Sequence, residues 1–371
     1  MRLQAVDLDN DAPNPLRDGE ALTLRLAGQA EFALEPRTTA LFELEGVVAL
    51  NDGFNDGRGR RPNRPFIPDP EGLEINRAQI STERWDGTRI TLGRQRIALD
   101  DWRFIGEFPF RQNHQSIDAL RIETRRLGPG SLDAGYFNRV QRPLGRDNPG
   151  GRFEGDSVFA NYTLSSPIGR VTAFHYRFDI ETGPQGVLRH VFSNRVTGAR
   201  LFGRRQSGDL GVSWEASYAH QTDHDDNPID YAADYGMGEI KLETLRGALT
   251  FRAERLGADN GQGFQTPLAS LHKFQGLADQ FLRTPGDGVD DLSVAASAEL
   301  GDLGVLRDVR VLARHHWFSA AETSQDYGRE LDLTLGAKIG DVGLSLEFAD
   351  YSARGFATDK QVISISTAIG F

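Results

Sequence analysis

Residues 92–123 read LGRQRIALDDWRFIGEFPFRQNHQSIDALRIE. On the way in, Ile90 and Leu92 alternate with Arg89, Thr91 and Gly93. On the way out, Leu120, Ile122 and Thr124 alternate with Ala119, Arg121 and Glu123. A period of two places one kind of side chain on each face of a β-strand. Between the two strands lies a long connection rich in Arg, Asp and aromatic residues, so the stretch reads as one hairpin with an extended loop. What decides the fold is the medium that meets the apolar face.

The same alternation runs through the chain. Leu22, Leu24 and Leu26 oppose Arg25; Phe42, Leu44 and Val48 oppose Glu43 and Glu45; Leu132, Ala134 and Tyr136 oppose Asp133, Phe137 and Arg139. Val158, Ala160, Tyr162 and Leu164 form a face, and so do Phe174, Tyr176, Phe178 and Ile180 opposite His175, Arg177 and Asp179. Further faces are Leu210 to Tyr218, Leu249 to Ala253, Leu292 to Ala298, Val309 to Trp317, Leu331 to Ala337, Leu344 to Phe348 and Ile363 to Ile369. Segment 73–85 is less regular, and 190–205 is ambiguous in phase.

The connections alternate long and short. Long ones fall near 9–18, 51–71, 99–114, 141–153, 181–189, 222–230, 257–290, 319–327 and 354–359. Short ones carry turn residues, as in Glu35-Pro36-Arg37, Gly128-Pro129-Gly130 and Gly340-Asp341. Long loops confined to one end are the habit of a bacterial outer-membrane barrel, with short turns on the periplasmic side. Nine long loops join nine hairpins. The expectation is therefore all-β: a transmembrane antiparallel up-and-down β-barrel of 18 strands, a single domain over 1–371. A sheet this large must also close in lipid, because unpaired backbone groups there are costly.

Composition is compatible. A net charge of −11 argues against a nucleic-acid binder, and the absence of Cys removes disulfides, thiolate metal sites and a Cys nucleophile. No apolar run is long enough for a transmembrane helix. A mean hydropathy of −0.44 does not argue against a barrel, whose apolar residues occupy alternate positions. The start, MRLQAVDLD, is already strand-like; a removed leader or a truncated or cytoplasmic product are the readings it leaves open. Of the 42 Lys and Arg residues only Lys241, Lys273, Lys338 and Lys360 are Lys. Arg is favoured where carboxylates or phosphates are gripped, and high-GC codon usage would give the same bias. The terminal Phe371 looks like the aromatic end of the signal read by the outer-membrane assembly machinery.

Two blocks resemble the alginate export family of outer-membrane porins. One is the opening stretch, with matches at Gly93–Arg96, Asp100, Arg103–Gly106, Arg111–Asn113 and Asp118–Arg121. The other is GFQTPLASLHKFQGLADQFLRTPGDGVDDL, Gly263–Leu292. The resemblance covers about 60 residues and implies an 18-stranded barrel passing anionic poly- or oligosaccharide, such as alginate-type uronates, through a basic pore.

The strand phases place Arg25, Arg77, Arg89, Arg121, Arg139, Arg177, Arg252, Arg310, Arg314 and Lys338 inward, with Glu123, Asp133 and Asp179 among the inward acids. Such a ladder hands anions along, as charged rings do in selective pores; alternatively acids and bases pair across strands and stiffen the wall. Arg94, Arg96, Asp100, Arg103, Arg111 and Asp118 are expected as a charge network tucking an outer loop against the wall. Thr266–Leu282 has near-helical apolar spacing, and loop 257–290 is expected to carry a short helix at the mouth, a constriction or a surface cap. Acid clusters at Asp223–Asp230 and Asp287–Asp291 could take Ca²⁺ through oxygen ligands, but they lack EF-hand spacing and solvated loop charge is the commoner case, so no metal or cofactor is expected. No G-x-S-x-G motif suggests an enzyme. The functional expectation is a monomeric, non-enzymatic channel in the bacterial outer membrane, in contact with its lipid; the alternatives are a general or differently selective porin, a barrel enzyme, or a soluble carbohydrate-binding or lyase protein.

Overall fold

The computed structural model describes residues 1–11, 18–181 and 190–370, except the side chain of residue 190. Eighteen strands form one antiparallel sheet. They are β1 (Arg2–Asn10), β2 (Asp18–Glu35), β3 (Thr38–Ala49), β4 (Gly72–Thr82), β5 (Thr88–Gln95), β6 (Ser116–Leu127), β7 (Gly130–Gln141), β8 (Arg152–Ser166) and β9 (Gly169–Phe178). The second half is β10 (Asn194–Ser207), β11 (Leu210–Asp223), β12 (Ala232–Glu243), β13 (Gly247–Leu256), β14 (Val289–Leu303), β15 (Leu306–Ser319), β16 (Asp326–Ile339), β17 (Val342–Ala353) and β18 (Lys360–Ala368). Each pairs with its sequence neighbours. β18 returns to β1, with Arg2 opposite Ala368 and Asn10 opposite Lys360, so the sheet closes and has no free edge. Phe371 lies outside the described residues, as does part of the first and fifth long loops.

The outer surface is built for hydrocarbon. Leu26, Leu92, Tyr218, Ile240, Leu292 and Ile365 point outward and are each more than half exposed. Aromatic residues mark both edges of the apolar band: Tyr136, Tyr218 and Trp317 toward the long loops, Phe32 and Trp85 toward the short turns. Such girdles sit at the two interfaces of a membrane barrel.

The lumen is not an open tube. The β5–β6 loop folds inward and builds a dry core of Ile97, Leu99, Phe104 and Ile105 against the wall from β6 to β13. Phe104 lies 5.0 Å from Phe174, 5.6 Å from Tyr176 and 5.5 Å from Tyr235, ring centre to ring centre. This corrects the phase read for β9. Phe174, Tyr176, Phe178 and Ile180 face the interior, and Arg177 and Asp179, expected to line the pore, take the opposite phase. Alternation reports only that one face is apolar, and here the inward face meets packed loop rather than water.

Arg139 is a second correction. A β-bulge at Asn138 shifts the register, so that Arg139 pairs with Asp118 and Val140 with Ile117. Val140 and Ile117 are both buried toward the lumen, which sends Arg139 and Asp118 out. Arg94 stands opposite Asp118 on β5 and binds it at 2.7 Å and 3.0 Å. Arg94 and Asp118 therefore belong to the outer rim of the wall, not to the loop network.

Loop 257–288 also folds inward. In place of the expected helix it carries a two-residue ladder (Ala258–Asp259 with Gln262–Gly263) and one 3-10 turn, Leu271–Lys273. Its apolar residues Leu268, Phe274 and Phe281 are buried against the other loop and the wall, which satisfies their spacing without a helix. The two loops are stitched together: Ile105 bridges Leu268, Gly106 N donates to Leu268 O (2.9 Å), and Gln115 Nε2 donates to Gly106 O (2.7 Å) and Leu268 O (2.9 Å).

Candidate functional site: a one-sided pore

With most of the β6–β13 side filled, the open path runs along β1 and the strands from β11 to β18. A cavity of about 390 Å³ opens at the long-loop end, lined by Val6, Leu8, Arg64, Phe66, Asp279 and Lys360 among others. A second, of about 400 Å³, lies below it and contains Glu215, Arg252, Lys273, Asp291, Arg314 and Asp332. Four residues line both, Phe110, His272, Leu277 and Glu347, and they form the neck between them.

The neck is fixed by hydrogen bonds from every side. Arg2 on β1 reaches in and donates to the carbonyls of Pro109 (3.0 Å), Phe110 (3.1 Å) and Arg111 (3.3 Å), holding the loop tip that carries Phe110. Across from it, residues 276–278 lie on two acids of β16: Ala278 N donates to Glu330 (2.7 Å) and Leu277 N to Asp332 (3.3 Å). Gly276 has φ +85 and a Cβ there would sit on the Glu330 carboxylate, so only glycine lets this turn dock. Asp332 is itself 3.4 Å from His316, which binds Asp291 at 2.8 Å.

At the centre is Asp279, largely buried and surrounded by cations. His272 Nδ1 approaches it at 2.9 Å, Arg111 forms an ion pair with it, and Lys360 donates to the neighbouring Ala278 carbonyl. Burial alone would raise the Asp279 carboxyl, but His272 and Arg111 outweigh it and hold it well below the usual range. Burial would likewise push the His272 imidazolium down; Asp279 and then Glu347, 3.7 Å from Nε2, lift it to about 9. His272 is thus a cation at neutral pH, with its ring 5.6 Å from Phe110.

The remaining sequence-derived residues fall into two groups. Most inward Arg residues are neutralised where they stand. Arg25 binds Glu45 (3.4 Å) beside His114, Arg77 and Arg96 share Glu43, and Arg121 grips Asp133 with both nitrogens and reaches Glu123 at 3.2 Å. Arg103 of the in-folded loop crosses to Glu254 (3.0 Å), and Asp100 to Arg200 (3.5 Å) and Asn161 (2.7 Å). Asp100 is raised by its burial. Arg96 thus ties the loop to the adjacent wall at β3 and β4, while Arg103 and Asp100 carry the network across the lumen to β8, β10 and β13. Arg89, Arg310 and Lys338 sit toward the short turns with Glu83, Glu299 and Asp308. Arg89, Glu123 and Asp133 line a separate vestibule of about 760 Å³, roofed by Ala98 and Leu99.

The second group lines the path. Arg252 does, pinned between Glu239 and Glu254 at 3.3 Å each. Arg314 does too, and among the described residues it has no ion pair. Sequence reading missed Arg2, Arg200 and Lys360 on the strands, although Lys360 shares the phase of inward Val362 and Ser364. It also missed Arg64, His272 and Lys273 on the loops, where no periodicity reveals orientation. Among the described residues no group of three or more His, Asp and Glu is placed to hold a metal.

No family model matches the chain, and no curated protein matches it. Solved structures do. OccK9 (OpdG) of Pseudomonas aeruginosa aligns with a TM-score of 0.70 at 16% identity, over 98% of this chain and 95% of that one. OpdK of the same organism, solved with vanillate, gives 0.71 at 15%, over 99% and 96%. OccAB4 of Acinetobacter baumannii gives 0.73 at 11%, over 99% and 95%. At these identities the likeness is one of fold: a closed barrel of 18 strands with the same extent.

Proposed function

We propose that this chain is a channel of the bacterial outer membrane that admits small anionic solutes, with alginate-type uronates as the substrate class to test first. The observation that carries the reading is the sequence of cations along the one open path: Arg64 and Lys360 above, Arg111 and His272 at the neck, Lys273 and Arg314 below. Carboxylates are handed from one to the next, while Asp279, Glu254, Asp291 and Glu215 on this path are held by His272 and Arg111, Arg252, His316 and Arg200 respectively. Cavities of this volume match those that enclose a small ligand, so a polyuronate passes one residue at a time or is taken as short oligomers. Kinship with the alginate export family rests on the two sequence blocks. One fold neighbour holds vanillate, which supports the carboxylate and leaves the body of the solute to experiment. The second reading, a general diffusion porin, is weakened by the neck, which is braced from β1 and from β16.

The test is single-channel conductance in a planar bilayer. Glucuronate and guluronate oligomers should interrupt the current at concentrations where glucose and neutral oligosaccharides do not. Equal block by neutral and acidic sugars would leave the general porin.

A further inference from the structure

On the outside of the wall, Arg177 of β9 and Arg195 of β10 are direct cross-strand partners. Arg177 lies between buried Tyr176 and Phe178, and Arg195 between buried Asn194 and Val196, so both guanidiniums leave the barrel on its outer face. Among the described residues neither has an ion pair. Like charges opposite each other in a ladder repel, yet nothing on the adjoining strands relieves this pair. Asp156 of β8 accepts from Tyr136, and Asp234 of β12 accepts from Tyr218 (2.7 Å) and binds His220 (2.9 Å). Asp179 and Asp225 stand near His224 without pairing to either guanidinium.

Two buried nitrogens at this spot have no hydrogen-bond partner among the described residues: Arg177 Nε and His224 Nδ1. Unmet buried donors are rare and ask for an occupant. Burial and then the Arg195 and Arg177 charges hold the His224 imidazolium down, against the smaller opposing pull of Asp225 and Asp179.

The height is informative. Nine residues separate Arg177 from Ile168, whose exposed side chain marks the short-turn edge of the apolar band. At ~3.3 Å per residue and a tilt of ~40°, that is about 23 Å along the membrane normal, close to the ~25 Å apolar height of such barrels. Arg177 and Arg195 thus stand where the hydrocarbon of the loop-side leaflet gives way to headgroups.

We propose that Arg177 and Arg195, with His224 beside them, form a docking site for the phosphate of a lipid in the outward-facing leaflet. The site rests on the membrane reading given above but is independent of what the pore carries. Two guanidiniums side by side present parallel N–H donors to the oxygens of one phosphate, and the lipid chains lie below against Ala173 and Tyr218.

The experiment compares wild type with the R177Q/R195Q double variant. Both are delipidated in detergent and re-exposed to vesicles containing a phosphorylated lipid A or its dephosphorylated form. Bound lipid is counted by native mass spectrometry, and channel conductance is recorded for each. The expected result is about tenfold weaker retention of the phosphorylated lipid by the variant, from loss of two charge-assisted contacts, with no difference for the dephosphorylated lipid and unchanged conductance. Equal retention by both proteins, or retention indifferent to the phosphate, overturns the site. So does displacement of the lipid by inorganic phosphate at equal concentration. If neither protein inserts or conducts, it is the channel reading that has failed.

Discussion

Replacing Arg314 by Gln tests the ion path at the point where the result is least ambiguous. Arg314 faces the lower cavity and has no ion pair among the described residues, so its removal strands no buried acid. A unit charge ~5 Å from a passing ion, in a water-like medium, is worth about 0.8 kcal/mol. Screening lengths of about 30, 8 and 3 Å at 0.01, 0.15 and 1 M salt scale this to roughly 0.7, 0.4 and 0.2 kcal/mol. The anion concentration beside position 314 should therefore fall about threefold, twofold and 1.3-fold respectively. Single-channel current carried by glucuronate, recorded at the three salt concentrations, reads this directly. Arg139→Gln is the companion control: Arg139 points out of the barrel, and its loss should change nothing. A threefold loss that persists at 1 M salt would mean that the pore had changed shape rather than potential. No loss at 0.01 M would remove Arg314 from the path, and an effect of Arg139→Gln equal to that of Arg314→Gln would remove the one-sided pore altogether.

Other consequences follow from the braced neck. Asp279→Asn leaves Arg111 buried without its counter-charge and His272 with Glu347 alone, which costs about 3–5 kcal/mol; loops 96–115 and 257–288 should loosen, seen as open-channel noise and faster proteolysis at an unchanged barrel fold. Raising the pH should have a similar effect through His272. Its pKa is raised to about 9 in the folded protein, so its contribution is full below 6.5 and lost as the pH climbs through about 9; current noise that stays flat from pH 7 to 10 would contradict this. Phe104→Ala removes the ring that packs against Phe174, Tyr176 and Tyr235 and should cost about 3–5 kcal/mol, lowering the urea midpoint while widening the conductance. A stability loss without wider conductance would show that the Phe104 core does not limit the open area.

How far the sequence could be read depends on which kind of residue is asked about. On strands with water inside and lipid outside, alternation was decisive: Arg252, Arg314 and Glu254 against Phe251 and Ala313 were legible, and so were the strand number and the closure. On β9 the same rule named two faces correctly and assigned them to the wrong media, because the interior there is a packed core and Tyr176 is as dry as any lipid-facing residue. At Arg139 a single bulged residue, Asn138, reversed the phase; period two has no memory across an insertion.

The pattern along the chain determined the barrel, since eighteen half-apolar strands with long loops at one end have no other way to pair every backbone group in lipid. The pore was decided by tertiary structure alone. Its neck is made by Phe110 and Leu277, which sit on loops without periodicity, and by His272 and Glu347, which are 75 residues apart and meet only because two loops fold inward and are stitched to each other and to β1 and β16. Local sequence sets which face of a strand is apolar; only long-range contacts set which solvent, or which loop, that face will meet.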